Sequence, residues 1–459
     1  MVSIKKLFEP TDMTVGTPWK KIAMFALPML IGNIAQQLYS TVDSIVVGRY
    51  VGDNALAAVG SAAPLFNMLL VLFVGISAGV GIMVSQYFGA KNREELSHTI
   101  GTSITLTLIV SIVLMIVTPP FLRSLLQMLN TPASILDDCT NYLKILMYGV
   151  AGMAYYNILS GILRGMGDSF SALGYLLIAT VINIVLDIYF VASLGMGVPG
   201  VALATVIAQS ISSFLCLLKL MKMKSTFDLT KKELKMSKKH LIRVVKLGLP
   251  SGATQMIMSS AMIIVQSLTN SFGELFIAAN VIVMRIDGFA MMPNFSFGMA
   301  MTTYTGQNVG ARQPERVKQG AKQGTIMALV CSILITSGIL IFGKYLMMIF
   351  TDTPELIATS VKVMRILAVG YIAVAVTQSL SGVMRGAGDT VTPMWISLVQ
   401  TVIIRVPIAY GLSFLTRTEA LPYGRFESIP VSLLIAWVSG AILTVIFYRV
   451  GKWKSKGLE

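Results

Sequence analysis

Twelve separate stretches of this chain are apolar over at least the length that a helix needs to cross a lipid bilayer. About 20 apolar residues in a helix cover roughly 30 Å of hydrocarbon. Only 12% of the 459 residues are charged, against about 25% in a soluble domain. The sequence therefore predicts an all-α polytopic membrane protein. Its twelve transmembrane helices are predicted approximately at residues 22–48, 55–86, 95–119, 135–163, 170–194, 199–222, 241–270, 275–307, 316–342, 356–384, 391–415 and 429–450.

The positions of the basic residues indicate how the chain is oriented. The formal net charge is +15, and lysines and arginines cluster before helix 1, after helices 2 and 4, and densely between helices 6 and 7. The alternate loops contain few of them. By the positive-inside rule, both termini and the basic segment 223–239 are predicted to be cytoplasmic. We expect these charges to face anionic lipid and not nucleic acid, in a multi-pass protein of the cell (inner, cytoplasmic) membrane.

The chain contains an internal duplication. Leu159–Asp168 recurs with few changes as Leu380–Asp389, 221 positions later. The tripeptide Ala26-Leu27-Pro28 returns as Gly248-Leu249-Pro250, 222 positions later. Each half holds six helices and enters from the same side, so the repeats are parallel and related by an axis along the membrane normal.

This repeat predicts the domain organisation. We expect a six-helix N-terminal lobe at 1–222, a basic cytoplasmic linker at 223–239 and a six-helix C-terminal lobe at 240–459. Two pseudo-symmetric lobes around a central cleft are the architecture of an alternating-access carrier. A channel usually needs several identical subunits around its pore, and we expect this duplicated chain to act as a monomer.

Four polar side chains in the N-terminal half fall at similar depths. Asn183 and Asp187 lie four residues apart, and therefore on one face of helix 5. At about 1.5 Å per residue, Asp43, Asp187 and Thr205 share a level near the outer side, with Asn183 one turn deeper. Carboxylate and neutral oxygens suit a hard cation, whereas two neighbouring carboxylates favour a proton. Depth does not establish that these groups converge, and such groups also join helices.

The order of these motifs resembles the multidrug and toxic compound extrusion (MATE) family over nearly the whole chain. The resemblance is carried by the two parallel six-helix halves, Pro28 and Pro250 early in helices 1 and 7, and Arg-Gly-X-Gly-Asp after helices 4 and 10. It implies cation-coupled antiport, in which H⁺ or Na⁺ enters and an amphipathic, often cationic, organic compound leaves. No enzyme activity and no cofactor are implied.

The resemblance also implies where the coupling cation binds. In the bacterial and archaeal branch with its site in the N-terminal lobe, the ligands are an aspartate on helix 1, an Asn-X-X-X-Asp pair on helix 5 and a threonine on helix 6. They map onto Asp43, Asn183, Asp187 and Thr205. The choice between Na⁺ and H⁺ stays open.

The second half lacks this set of residues. At an offset of 221, Asn183 corresponds to Ile404 and Asp187 to Ile408. Asp287 on helix 8 lies at a depth similar to that of Arg405 on helix 11, and buried opposite charges usually pair. We predict a structural Asp287–Arg405 pair, with a second coupling site at Asp287 as the alternative.

Further polar and hinge residues are predicted on helices 1 and 4. Pro28 removes a backbone hydrogen bond and invites a bend, so we predict a hinge there that responds to the charge state of the cation site. A static packing kink is the alternative. Four side chains are expected either to contact a substrate in the cavity or to bond another helix: Asn33, Gln37, Tyr39 and Asn157.

Two other functions deserve comparison with antiport. Gly165–Asp168 and Gly386–Asp389 match the Gly-X-Gly-Asp pattern of intramembrane aspartyl proteases, but each follows an arginine at a cytoplasmic helix end, where glycine ends a helix. A lipid or lipid-linked glycan flippase should line its cavity with several arginines and lysines, and this chain offers mainly Arg285 and Arg405 at depth. The three cysteines lack metal-type spacing, so neither a zinc site nor a disulfide framework is predicted.

Overall fold

The computed structural model describes residues 8–129 and 131–455, which are almost entirely helical. Two π-helical segments occur in these ranges, Ile188–Ser193 directly after α6 and Val399–Ile404 between α12 and α13. The α-helices in chain order are α1 (Pro18–Tyr50), α2 (Asp53–Gly89), α3 (Arg93–Met128), α4 (Ala133–Tyr148), α5 (Val150–Gly165), α6 (Ser169–Asp187), α7 (Gly197–Met221), α8 (Lys238–Asn270), α9 (Glu274–Gly310), α10 (Pro314–Met348), α11 (Pro354–Gly386), α12 (Val391–Leu398), α13 (Arg405–Leu415) and α14 (Ser428–Val450).

The twelve predicted spans are confirmed. Eleven continuous helices of the described ranges are long and apolar enough to cross a membrane, and α4 with α5 forms the twelfth as a pair bent by 53°. The sequence predicted this pair as one helix. The break falls at Gly149, which lies against the side chain of Val206 on α7 so closely that a Cβ would clash. The third span also runs past its predicted end, because α3 continues through Pro119 and Pro120 to Met128.

Packing divides the described chain into two compact units. Unit 1 contains residues 8–12 and 27–252, and unit 2 contains residues 13–26 and 253–455. The chain passes between these units at three points, of which the first, after Asp12, precedes α1 and the other two fall within helices. One division in α1 immediately precedes Leu27, next to Pro28, and the division in α8 follows Gly252, two residues after Pro250.

The first part of α8 belongs to unit 1 because it packs tightly on α2. A Cβ on Gly79 would lie 2.6 Å from the carbonyl oxygen of Val244, and one on Gly248 would lie 2.6 Å from that of Gly75. Glycine at these crossing points lets two backbones approach, as in other tightly packed membrane helices. The contact fixes the start of α8 to the N-terminal half.

The start of α1 belongs to unit 2 through bonds to α9 and α10. The backbone N–H of Met13 donates to Gln307 Oε1 over 2.8 Å, and Arg316 donates to the carbonyl oxygens of Met13 and Gly16 over 3.1 and 2.9 Å. The backbone N–H of Trp19 donates to Gln323 Oε1 over 3.0 Å. These bonds fix the residues that precede Pro28 within the C-terminal half.

The basic linker is held against α3 within unit 1. Arg93 donates to both carboxylate oxygens of Asp228 over 2.8 and 2.7 Å, and these bonds lower the pKa of Asp228. The backbone N–H of Asp228 donates to Ser97 Oγ over 2.9 Å. Thr105 Oγ1 donates to the carbonyl oxygen of Leu234 over 2.6 Å. The linker backbone is therefore docked, while most of its lysine side chains remain exposed, as a solvated basic loop would require.

Candidate cation site

Three helices of unit 1 bring the predicted cation ligands together. Asn183 and Asp187 lie one turn apart on α6, and both are fully buried. Asp43 on α1 and Thr205 on α7 are half-buried beside them. A carboxylate in a membrane interior is expensive unless it is paired or hydrogen-bonded, so this clustering follows from the cost of burying two aspartates in apolar helices.

Asn183 lies at the centre of the cluster. In the amide orientation that satisfies its neighbours, Nδ2 donates to Asp43 Oδ1 over 2.8 Å and to Asp187 Oδ2 over 3.0 Å. Its Oδ1 accepts from the backbone N–H of Thr205 over 3.2 Å and from the Tyr39 hydroxyl over 3.3 Å. One amide thus links α1, α6 and α7.

Two tyrosines surround this cluster, and the sequence assigned neither to it. The Tyr39 hydroxyl on α1 lies 3.1 Å from Thr205 Oγ1 on α7, which fits the predicted alternative that this side chain bonds another helix. Tyr142 on α4 interacts electrostatically with Asp43 and Asp187 and packs against the surrounding apolar cluster. A single tyrosine in an amphipathic helix gives no pattern that would reveal this position from sequence.

The donor set suits a proton or a small monovalent cation. The carboxyl groups of Asp43 and Asp187 lie within hydrogen-bonding reach of each other, and Asp187 Oδ1 is buried without a hydrogen-bond partner. No group of three or more His, Cys, Asp or Glu side chains suitable for a metal occurs in the described ranges. Two carboxylates completed by amide and hydroxyl oxygens therefore fit a hard ion of low charge.

The remaining predicted cavity residues are Asn33, Gln37 and Asn157. Asn33 and Gln37 are half-buried on α1. Asn157 Nδ2 donates to the carbonyl oxygen of Met153 in its own helix over 2.9 Å, and the carbonyl oxygen of Asn157 accepts from Ser77 Oγ over 2.7 Å. Asn157 therefore helps to pack α5 against α2, which is the structural alternative for this residue.

The predicted ion pair in unit 2 does not form directly. The Tyr371 hydroxyl donates to Asp287 Oδ1 over 2.9 Å, and no Asp287–Arg405 contact within 4.0 Å occurs among the salt bridges of the described residues. The two groups attract each other electrostatically and line one cavity of about 360 Å³. Arg405 Nε is buried there without a hydrogen-bond partner. Depth predicted the neighbourhood correctly, but Tyr371 satisfies the carboxylate.

The two Gly-X-Gly-Asp segments are helix caps. Asp168 accepts from the backbone N–H and hydroxyl of Ser171 over 2.9 and 2.7 Å, and Asp389 makes the equivalent bonds to Thr392 over 3.2 and 2.7 Å. The preceding glycine has φ +83° in the first turn and +95° in the second, a conformation that favours glycine. Asp168 is the N-cap of α6, and Asp389 precedes α12 and accepts from its first turn, which agrees with the predicted tight turns.

Comparison with known proteins identifies the family. A family model described as MatE matches the chain twice, at residues 28–189 and 250–411. The chain belongs to the MATE family. The two matches also confirm the internal duplication. This MATE protein is a multi-pass membrane transporter of the multidrug efflux type and not an enzyme.

Relatives of known sequence or structure agree with this assignment. The chain is 30% identical to the probable multidrug resistance protein YoeA of Bacillus subtilis, over 95% of each chain. It is 26% identical to a MATE crystallised in a bent conformation, with a TM-score of 0.88 over 95% of this chain and 96% of that one. A MATE in a straight conformation gives 25% identity and a TM-score of 0.88, over 96% and 97%.

Proposed function

We propose that this MATE protein is a cation-coupled antiporter that exports amphipathic, often cationic, organic compounds across the cytoplasmic membrane by alternating access. The observation that carries the proposal is the Asp43–Asn183–Asp187 cluster. Two carboxyl groups share a buried site there, and such groups cannot both stay ionised without a compensating positive charge. A proton or Na⁺ supplies that charge, which makes the site responsive to an ion gradient.

The amide of Asn183 gives the site two states. When Nδ2 donates to Asp43 and Asp187, the amide protons occupy the space between the carboxylates. Binding of Na⁺ requires Oδ1 to turn toward the ion, because a cation is coordinated by oxygen. That rotation breaks the bonds to Asp43 and loosens α1 from α6. Protonation of one carboxyl group weakens the same bonds, so either ion acts through α1.

The proposed hinge in α1 lies at Pro28. The residues before it are bonded within unit 2, and the residues after it, including Asp43, belong to unit 1. Pro28 lacks the N–H that would complete the helical ladder, so bending there breaks one bond fewer. Related MATE structures in a bent and in a straight conformation support a conformational change.

The remaining features of the proposal concern substrate and membrane. Asn33 and Gln37, which are half-buried on α1, are proposed to contact substrate. Movement of α1 would then move both side chains relative to the substrate. The basic linker supports cytoplasmic termini by the positive-inside rule. The complete duplication within one chain supports a monomer.

Transport under separate ion gradients tests the proposal. The protein is reconstituted in proteoliposomes, and movement of a cationic dye is measured under an imposed Na⁺ gradient without a pH gradient. The measurement is then repeated under a pH gradient without a Na⁺ gradient. One of the gradients is expected to drive transport. Asp43→Asn and Asp187→Asn should abolish gradient-driven transport, whereas Glu274→Gln, at an exposed carboxylate, should retain it. Full gradient-driven transport by Asp187→Asn would refute the coupling site.

A further inference from the structure

A cavity in unit 2 contains charged groups that the proposed coupling mechanism does not use. Its volume is about 360 Å³, which is within the range of small-molecule pockets. Methionines and aromatic side chains form much of its wall, including Met258, Met262, Phe295 and Trp437, and Asp287, Gln400 and Arg405 also face it. Flexible methionines and aromatic rings suit an apolar ligand of variable shape.

The polar groups of this cavity are incompletely satisfied. Tyr371 holds Asp287 through one oxygen, and the carboxylate and the guanidinium make no contact within 4.0 Å. Arg405 Nε and Gln400 Oε1 are buried without hydrogen-bond partners. Unpaired buried polar groups are costly. A ligand whose acidic group accepts a hydrogen bond from Arg405 removes the cost at Nε, and a basic group on the same ligand gives Asp287 a second partner.

The sequence repeat indicates which residue of the first half corresponds to Arg405. The two family matches begin 222 residues apart and also end 222 residues apart, but the Arg-Gly motif recurs after 221, at Arg164 and Arg385. The ends of the two matches place residue 189 opposite residue 411, and at this offset Asn183 stands opposite Arg405. The π-helical segment Val399–Ile404 lies between the Arg-Gly motif and Arg405, and i→i+5 bonding holds one more residue per ring than i→i+4.

This offset of 222 changes the correspondence between the halves. Beyond the π-helical segment, Arg405 and not Ile404 is the counterpart of Asn183, and Ala409 is the counterpart of Asp187. At these two positions the first half has an amide and a carboxylate, whereas the second half has an arginine and an alanine. Arg405 therefore offers a positive charge to an acidic group where the first half offers the coupling-site oxygens.

We propose that the unit 2 cavity binds zwitterionic amphiphiles, whose acidic group pairs with Arg405 and whose ammonium group lies against Asp287. The apolar remainder of the ligand contacts the methionines, Phe295 and Trp437. Export of such compounds rests on the proposed antiport function, whereas their binding does not.

A matched series of probes tests this assignment in purified full-length protein. Nε-dansyl-L-lysine carries a free ammonium and a free carboxylate, its methyl ester carries only the ammonium, and its Nα-acetyl derivative carries only the carboxylate. Trp437 lines the cavity, so energy transfer from tryptophan to dansyl reports binding. A Trp437→Phe variant should lose most of that signal. The zwitterion is expected to bind about tenfold more tightly than either derivative.

Two charge-removing variants should divide the series according to charge. Arg405→Gln should lower the affinity for the zwitterion and for the acetyl derivative about tenfold and leave the affinity for the ester unchanged. Asp287→Asn should lower the affinity for the zwitterion and for the ester and leave the affinity for the acetyl derivative unchanged. Arg285→Gln and Glu274→Gln remove exposed charges from α9 and serve as matched controls. Neither control should alter any of the three affinities.

Equal affinities for the three probes in the wild-type protein would overturn the proposal. A loss of affinity that is the same for all three probes in both variants would also overturn it. Should Arg405→Gln fail to fold, Arg405→Lys keeps the positive charge but loses the planar guanidinium group that can donate two parallel hydrogen bonds to a carboxylate. It should weaken only the two carboxylate probes, and unchanged affinity for them would contradict the assignment. Charge-selective binding without ion-driven dye transport would leave this site intact and refute the antiport proposal alone.

Discussion

Asn183 Nδ2 donates to Asp43 Oδ1 over 2.8 Å and so connects α6 to α1 at the level of the candidate cation site. The donor and the acceptor belong to helices that are far apart in sequence, and the bond joins the predicted ion-binding residues to the helix that contains Pro28. Any change that removes this amide proton should act on both stability and transport.

Replacement of Asn183 by Leu tests this connection. Leucine is similar in size but donates no hydrogen bond, so the buried oxygens of Asp43 and Asp187 lose a donor. We expect a loss of about 1–3 kcal/mol in the free energy of unfolding and loss of ion-driven transport. Thermal unfolding in detergent measures the first effect. Asn280→Leu, which removes only a long contact to Met284 Sδ, should have little effect, and equal stability of the two variants would contradict the prediction.

Pro28→Ala tests the hinge. Alanine restores the missing N–H and favours a straight helix, so export should be abolished while binding of the coupling cation at Asp43 and Asp187 remains measurable. Pro250→Ala is the matched control, because Pro250 takes the corresponding place in α8 without a nearby member of the cation site. Isothermal titration separates ion binding from dye transport. Full transport by Pro28→Ala would exclude the hinge.

Gly101→Ala tests the docking of the basic linker on α3. The new methyl group would clash with the backbone carbonyl of Glu233, so the linker should detach and its exposed lysines should become more accessible. Limited trypsin digestion is expected to cut this variant several-fold faster within 222–239. Gly338→Ala adds a methyl group where nothing lies within 4 Å and should be cut at the wild-type rate. Equal rates for both variants would show that the linker is not held at Gly101.

Exchange of the two charged groups in unit 2 distinguishes a direct ion pair from separate positions. Because Tyr371 holds Asp287, the Asp287→Arg, Arg405→Asp double variant should be no more stable than the less stable single variant. Thermal unfolding of the three proteins measures this. Restored stability in the double variant would support the pair predicted from depth in the sequence.

The sequence was sufficient for features that depend on local pattern. Apolar runs predicted twelve spans, and repeated motifs predicted two parallel halves. The spacing of Asn183 and Asp187 placed them on one helix face, because helical periodicity alone determines that relation. Ends and breaks were less accurate: the sequence predicted one unbroken helix where the structure bends at Gly149, which packs against Val206 on another helix.

Only the tertiary structure decided which distant groups meet. It brought Asp43 to Asn183 and added Tyr39 and Tyr142 to their surroundings, and it gave Asp287 to Tyr371 in place of Arg405. It also docked the linker on α3. Hydrophobic periodicity determines that a helix crosses the membrane, but lateral packing and rotation about its axis decide which face meets which neighbour. Which side chains contact each other across helices is therefore determined only by the assembled tertiary structure.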